Sequence, residues 1–302
     1  MEVAFGSELG FGSRRASDAH LEEAIAPGVM LLAIADGFGE IRRNAPTAQS
    51  ALTAIREYLR RRHRLGSYGH NASATAIRTA LLGALEHANA RLYADGGSNE
   101  DFVGSGSSVT AVLLVGSAAF VGHVGDARAY LARTGTLEVL TVDDAMFAGR
   151  AVTSPTRGLF EPARARALLW RSLGTQAKLE VSVAHVTVQS GDELVLCTDG
   201  VHRVVDDAEI ADVLADTETC EEAVERILGL TRSRGSADCG TLVICRGLLA
   251  ATPATFSASA YARARVAIAL CLLLIALLSF GSYAMRGGSF GSLPNFSSSD
   301  GR

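Results

Sequence analysis

The sequence predicts an α+β sandwich rather than a doubly wound parallel sheet. Strand-like runs follow one another through short turns, as in antiparallel hairpins, and the helical patterns come in separate pairs. The 302 residues can bury a sizeable core and fit one large domain or two small ones. The mild net charge of −4, with no basic groove interleaved with aromatic residues, argues against a dedicated nucleic-acid binder.

Hydrophobic periodicity gives the order of the elements. Apolar side chains recur every three or four positions in the predicted helices, which are 46–63, 72–93, 207–215 and 220–232. Short apolar runs bounded by turn residues give the predicted strands, which are 29–35, 109–115, 118–124, 128–132, 137–141, 179–188, 193–198 and 241–246. Residues 133–136 carry a hairpin signal. Residues 143–172 have no clear period and are predicted to form a mobile flap.

The C-terminal part differs in composition from the predicted domain at 1–248. Residues 249–265 are rich in small residues and predict a linker, and 266–285 are 20 uncharged residues, enough for a helix to span a bilayer. A buried core helix is the alternative. Arg263 and Arg265 favour a single-pass protein of the cell membrane with its main domain in the cytoplasm, and 286–302 predict a disordered tail. The N-terminus lacks the pattern of a signal peptide.

The five cysteines suggest neither a disulfide framework nor a zinc site. Their number is odd, no two have the CxxC spacing, and the seven histidines show no ligand spacing. A reducing cytoplasm is the simplest interpretation. A metal bound by this chain is therefore expected to have oxygen ligands, as Mg²⁺ and Mn²⁺ do.

Acidic residues stand at the ends of predicted strands. Two apolar runs end in Asp36-Gly37 and Asp199-Gly200, and Asp238 comes shortly before the last strand. Carboxylates at such places are costly unless a cation compensates them, so the pattern indicates a site for hard metal ions. Asp126 lies between two strands, next but one to Arg128. Each acid taken alone also fits an ordinary turn, and Asp126 with Arg128 fits a surface ion pair.

Six short motifs, weak one by one, identify a protein family when they occur together in this order and spacing. They are Asp36-Gly37-Phe38-Gly39, Gly106-Ser107-Ser108, the run 124–130, Arg171-Ser172-Leu173-Gly174, Thr198-Asp199-Gly200, and Asp238. The chain resembles the metal-dependent protein phosphatase family, the type 2C class of serine/threonine phosphatases, over about residues 5–247. The resemblance implies a four-layer α-β-β-α sandwich, in which two antiparallel sheets are flanked by helix pairs.

The resemblance also implies a mechanism and its residues. Two Mn²⁺ or Mg²⁺ ions are expected to activate a water that attacks phosphorus in line. Asp36 is expected to bridge the ions, Asp199 and Asp238 to complete the catalytic acids, and the Gly37 carbonyl to add a ligand. Asp126, together with Asp199, matches a weak third-metal site. Asp18 matches the last acid of the N-terminal motif.

That N-terminal motif, which spans residues 7–18, departs from the family pattern. Ser17 replaces a Glu that supports one metal, and Cys239 replaces the Asn of the closing Asp-Asn pair. Ser13 stands at the phosphate-binding Arg position, although Arg14 and Arg15 are adjacent and are candidate phosphate-binding residues.

The resemblance and the departures from it are compatible with two functions. The first is a membrane-tethered phosphatase whose partners are the phosphorylated substrates of a serine/threonine kinase. The second, motivated by Ser13 and Ser17, is a pseudophosphatase that binds phosphoproteins without turnover.

Overall fold

A computed structural model describes residues 1–11, 17–39, 47–64, 72–98, 104–144, 169 and 171–248. The chain divides into the units Met1–Ala250 and Ala251–Arg302, and all described residues belong to the first. Within the described ranges, no helix combines the length and apolar character needed to cross a bilayer. The predicted linker, membrane helix and tail, most of the predicted flap, and the residues Ser13, Arg14 and Arg15 lie outside the described residues. The domain boundaries stay predictions.

Two five-stranded antiparallel sheets form the centre of the fold. In spatial order, the first sheet contains β2 (Asp18–Ala26), β3 (Val29–Phe38), β4 (Gly106–Val115), β5 (Ala118–Val124) and β8 (Ser182–Thr187). The second contains β1 (Glu2–Glu8), β10 (Gly240–Arg246), β9 (Glu193–Cys197), β6 (Arg128–Arg133) and β7 (Thr136–Val139). The hairpin between β6 and β7 is confirmed. Its two turn residues, Thr134 and Gly135, have φ of 50° and 79°, as a tight hairpin turn requires.

Helices cover the outer face of each sheet, and the predicted four-layer sandwich is confirmed. The helices are α1 (Thr47–Arg64), α2 (Ala74–Ser98), the one-turn α3 (Asp199–His202), α4 (Asp207–Asp216) and α5 (Cys220–Ser233). The apolar stripe of α1, which includes Leu52 and Ile55, packs with α2 against the first sheet. Residues such as Ile210 and Ile227 pack α4 and α5 against the second sheet. A third apolar layer joins the sheets to each other.

Strand alternation explains why polar residues meet at one end of this layer. Leu32 and Ile34 of β3 lie between the sheets, whereas their neighbours Leu31 and Ala33 face the helices. Side chains two positions apart share a face, so Asp36 continues the intersheet row. The same alternation along β9, from Leu194 and Leu196, places Thr198 in this layer. The end of the intersheet layer is therefore polar, although its middle is apolar.

Two strands were not predicted from the sequence. β1 and β2 each pair with one neighbour only, so they are the edge strands at that side of the sandwich. Edge strands form backbone hydrogen bonds along one side only and often carry charged residues, as the three acids of β2 show. Neither strand contains the continuous apolar run that identified β3, β4 and β10.

Candidate metal centre

Five aspartates from five separate parts of the fold surround the polar end of the intersheet layer. Asp18 and Asp36 lie opposite each other in the register of β2 and β3. Asp126 lies in the turn between β5 and β6, Asp199 begins α3, and Asp238 precedes β10. Asp126 and Asp199 are only 4% and 6% exposed, whereas the other three keep partial contact with solvent. The cluster is thus buried on the side of Asp126 and Asp199 and open to solvent on the side of the other three acids.

Asp18 and Asp36 lie opposite each other in the sheet register, close enough for the charge of each carboxyl group to affect the other. Thr198 Oγ1 donates to Asp18 Oδ2 at 2.7 Å, and Ser17 Oγ donates to Asp18 Oδ1 at 3.1 Å. Burial raises the pKa of Asp18 to about 7. Burial and the charge of Asp18 raise the pKa of Asp36 well above its usual value. Without a cation, one of the two carboxyl groups therefore holds a proton near neutral pH.

Asp199 has one carboxylate oxygen with no hydrogen-bond partner among the described residues. Burial, followed by the charge of Asp36, raises the pKa of Asp199 well above its usual value. Among the described residues, its buried Oδ1 accepts no hydrogen bond. A buried unpaired oxygen in a cluster of acids is costly unless a cation or water binds it. Carboxylate oxygens are the ligands that Mg²⁺ and Mn²⁺ prefer, so these residues fit the predicted ions.

The acids lie near one another, but their carboxyl groups do not surround a single point. In the described part of the chain, no three His, Cys, Asp or Glu side chains form a ready-made metal-binding group. An arginine stands among them instead: Arg203 Nη1 lies 2.9 Å from Asp199 Oδ2, and Arg203 Nη2 lies 2.9 Å from Asp126 Oδ2. The ligand roles of these acids therefore stay predictions.

The turn that carries Asp126 is held by its own hydrogen bonds. Ser108 Oγ accepts from the backbone N–H groups of Asp126 and Ala127, at 2.9 and 2.8 Å. Gly125 has a φ of 104°, which favours glycine, and an added Cβ would meet the Ser108 side chain. Asp144 Oδ2 accepts from the Gly125 N–H at 3.1 Å. The Gly106-Ser107-Ser108 motif thus positions the turn between β5 and β6.

The remaining predicted site residues have different outcomes. Gly37 packs closely, because an added Cβ would lie 2.6 Å from Thr47 Oγ1, but the predicted role of its carbonyl is untested. Asp238 lies near the other acids, with Oδ2 3.7 Å from Arg203 Nη1. Arg14 and Arg15 lie outside the described residues, so their phosphate-binding role stays a prediction.

Sequence reasoning missed two basic residues of the site. Arg203 contacts Asp126 and Asp199, and His202 Nε2 donates to the Asp126 carbonyl at 2.9 Å. Burial lowers the pKa of His202 to about 4, so the imidazole is neutral at pH 7. The one available signal was the four-residue spacing of Asp199 and Arg203, which places both on one face of a helical turn.

The comparison with known families shows which enzyme class this arrangement of acids belongs to. The family model described as protein phosphatase 2C matches residues 13–234. The chain belongs to this family. Its predicted enzyme class, a protein serine/threonine phosphatase, is therefore confirmed.

Individual family members give the extent of the likeness. A putative protein phosphatase 2C-type of Streptococcus pyogenes is 27% identical over 228 residues, which are 72% of this chain and 85% of that one. The serine/threonine protein phosphatase PstP of Mycobacterium tuberculosis is 28% identical over 75% of this chain, but only 42% of PstP is covered. A solved structure of the PstP catalytic domain with two manganese ions is 25% identical, with a TM-score of 0.64 over 80% of this chain and 96% of that one.

Proposed function

We propose that this chain hydrolyses phosphoserine and phosphothreonine in proteins at a centre of two Mn²⁺ or Mg²⁺ ions. Asp36, Asp199 and Asp238 would hold the ions, and Asp18 would support them from β2. The observation that carries the proposal is the buried Oδ1 of Asp199, which accepts no hydrogen bond from the described residues and lies among acids whose like charges repel one another. The PstP structure with two manganese ions supports the number and type of ion.

The roles of the chain's own residues follow from their positions. The partly exposed Asp18, Asp36 and Asp238 border the side that solvent reaches, where a phosphorylated side chain would enter. Thr198 holds Asp18 in place through its hydrogen bond of 2.7 Å. The bound ions would lower the pKa of water and neutralise charge on the phosphoryl oxygens. No side chain of the cluster is required as a nucleophile, because the attacking group is water.

Phosphate release by the full chain tests the proposed function. We expect hydrolysis of a phosphothreonine peptide with Mn²⁺ or Mg²⁺ and none in EDTA. Asp199→Asn should lower the rate by at least about 100-fold, because it weakens the charge that holds the ions and their transition-state stabilisation. The matched control is Asp212→Asn, which changes an exposed aspartate of α4. Peptide binding without phosphate release at saturating Mn²⁺ would instead favour the pseudophosphatase.

We also propose that residues 266–285 anchor the chain in the cell membrane with the phosphatase domain in the cytoplasm. The support is the uncharged 20-residue segment and the arginines that precede it. The full chain should remain in the membrane fraction after alkaline carbonate extraction. Leu273→Arg, in the middle of the segment, should release a large fraction because a central arginine costs about 2.5–3.5 kcal/mol on insertion. Full extraction of the unsubstituted chain would contradict the proposal.

A further inference from the structure

The guanidinium of Arg203 joins two buried carboxylates of the site. Its Nη2 lies 2.9 Å from Asp126 Oδ2, and its Nη1 lies 2.9 Å from Asp199 Oδ2. Asp238 Oδ2 is more distant, at 3.7 Å from Nη1. A planar guanidinium has donors at fixed angles, so it can pair with two carboxylates at once. Arg203 therefore stands between the two acids to which the family resemblance assigned a weak third ion.

The backbone around α3 fixes this arrangement. Arg203 follows α3 directly, and its backbone N–H donates to the Asp199 carbonyl at 3.0 Å. His202 donates from Nε2 to the Asp126 carbonyl at 2.9 Å. The same short helix thus holds Asp126 by its carbonyl through His202 and by its carboxylate through Arg203. The position of the guanidinium is set on both sides rather than by one surface contact.

The two oxygens of Asp199 are used differently. Oδ2 pairs with Arg203, whereas the buried Oδ1 accepts no hydrogen bond from the described residues. Asp199 can therefore bind an ion through Oδ1 while Oδ2 stays paired with Arg203. We propose that Arg203 takes the place of a third divalent ion between Asp126 and Asp199, so that this chain binds two ions and not three.

Charge repulsion explains why the Arg203 guanidinium and a third divalent ion cannot occupy this place together. A guanidinium keeps its positive charge in proteins, and a divalent ion between the same carboxylates would lie within a few ångströms of it. One oxygen of each carboxylate, Asp126 Oδ2 and Asp199 Oδ2, is already paired with Arg203, so neither atom is free to bind such an ion. Arg203 is thus a residue that determines metal stoichiometry, and it supplies a fixed charge where a weakly bound ion would come and go. The inference rests on the proposed two-ion centre.

Equilibrium dialysis of the full chain against Mn²⁺ tests the inference by counting ions per chain at saturation. The wild type should bind two ions, and Arg203→Gln should bind a third, weaker one. Arg203→Gln combined with Asp126→Asn should return the count to two, because the third ion loses a ligand. Arg234→Gln is the matched control: Arg234 pairs with Glu209 on the second sheet's helices, and this variant should bind two ions. Mn²⁺ is present throughout, so a variant that folds only with metal is still counted.

Metal-free stability gives a second readout. In EDTA, Arg203→Gln should melt at a lower temperature than Arg234→Gln, because it leaves Asp126 and Asp199 buried without a cation. Three ions in the wild type, or two in Arg203→Gln, would overturn the role of Arg203 and leave the proposed function standing. Fewer than two ions in the wild type would contradict the proposed function and the inference together.

Discussion

Asp36→Asn is expected to lower phosphate release strongly and, at the same time, to stabilise the metal-free protein. The activity should fall by at least about 100-fold, because the predicted bridge between the ions is lost. The stabilisation has a separate cause. Asp36 lies opposite Asp18 in the sheet register; burial raises its pKa most, and the charges of Asp18, Asp126 and Asp238 raise it further. An amide of the same shape removes that repulsion.

The stabilisation should depend on pH in a definite direction. The pKa values of Asp18 and Asp36 are raised in the folded protein, so between about pH 4 and pH 7 the folded metal-free chain binds more protons than the unfolded chain. The contribution of these two groups to the free energy of unfolding is therefore fully present below about pH 4, and it is lost as pH rises through the folded pKa. Asparagine does not ionise. The advantage of Asp36→Asn should thus grow from pH 5 to pH 8, reaching about 1–2 kcal/mol.

Urea unfolding in EDTA at pH 5 and pH 8, together with phosphate release in Mn²⁺, measures both effects. Asp212→Asn serves as control, because Asp212 is exposed on α4 and its replacement should change neither activity nor the pH dependence. Saturating Mn²⁺ should reverse the order of stability, since only the wild type gains from binding the ions. An Asp36→Asn variant that is less stable than the wild type in EDTA at pH 8 would contradict the electrostatic account of the cluster.

Elements with a continuous apolar pattern could be predicted from the sequence, and edge elements could not. β5 is observed at Ala118–Val124, as predicted, and α1 begins one residue after its predicted start. β1 and β2 lack such a pattern, because edge strands are partly exposed and often charged, and three of the nine residues in β2 are acids. A local pattern carries no information about which strand lies beside such a segment.

In the site, too, residues with a local sequence signal could be predicted, and contacts between distant parts of the chain could not. Asp36 and Asp199 were identified because each follows an apolar run and precedes a glycine, which is a local signal. The bridge from Arg203 to Asp126 joins residues 77 positions apart, and no pattern in either neighbourhood indicates the other. Contacts of this kind depend on how the two sheets pack, so they become visible only in the folded structure.

Gly200→Ala is expected to weaken metal binding by disturbing the spacing between α3 and the start of β10. A Cβ at position 200 would overlap the backbone carbonyl of Cys239 and lie 2.9 Å from the carbonyl oxygen of Asp238. Backbone atoms cannot rotate aside as a side chain can. Ser236 Oγ also lies within hydrogen-bond distance of the carbonyl oxygens of both Gly200 and Asp238, at 2.9 and 3.0 Å, so the two segments are tied together.

The methyl group should therefore separate Asp199 from Asp238, the two acids that flank this contact. We expect the free energy of unfolding to fall by about 1–3 kcal/mol, as for other overpacked sites. The Mn²⁺ affinity should fall by about 10–100-fold, as it does when supporting groups of a metal site are displaced. Urea unfolding in EDTA and Mn²⁺ titration by calorimetry measure the two effects separately.

Gly229→Ala provides the matched control for this substitution. Gly229 lies within α5, and an added Cβ there meets nothing within 4 Å. Alanine is favoured over glycine in a helix by about 1 kcal/mol, so this variant should be slightly more stable and bind Mn²⁺ as the wild type does. If Gly200→Ala also bound Mn²⁺ with unchanged affinity, the spacing of Asp199 and Asp238 would not determine ion binding. Asp36 and Asp18 would then have to hold the ions largely from the first sheet.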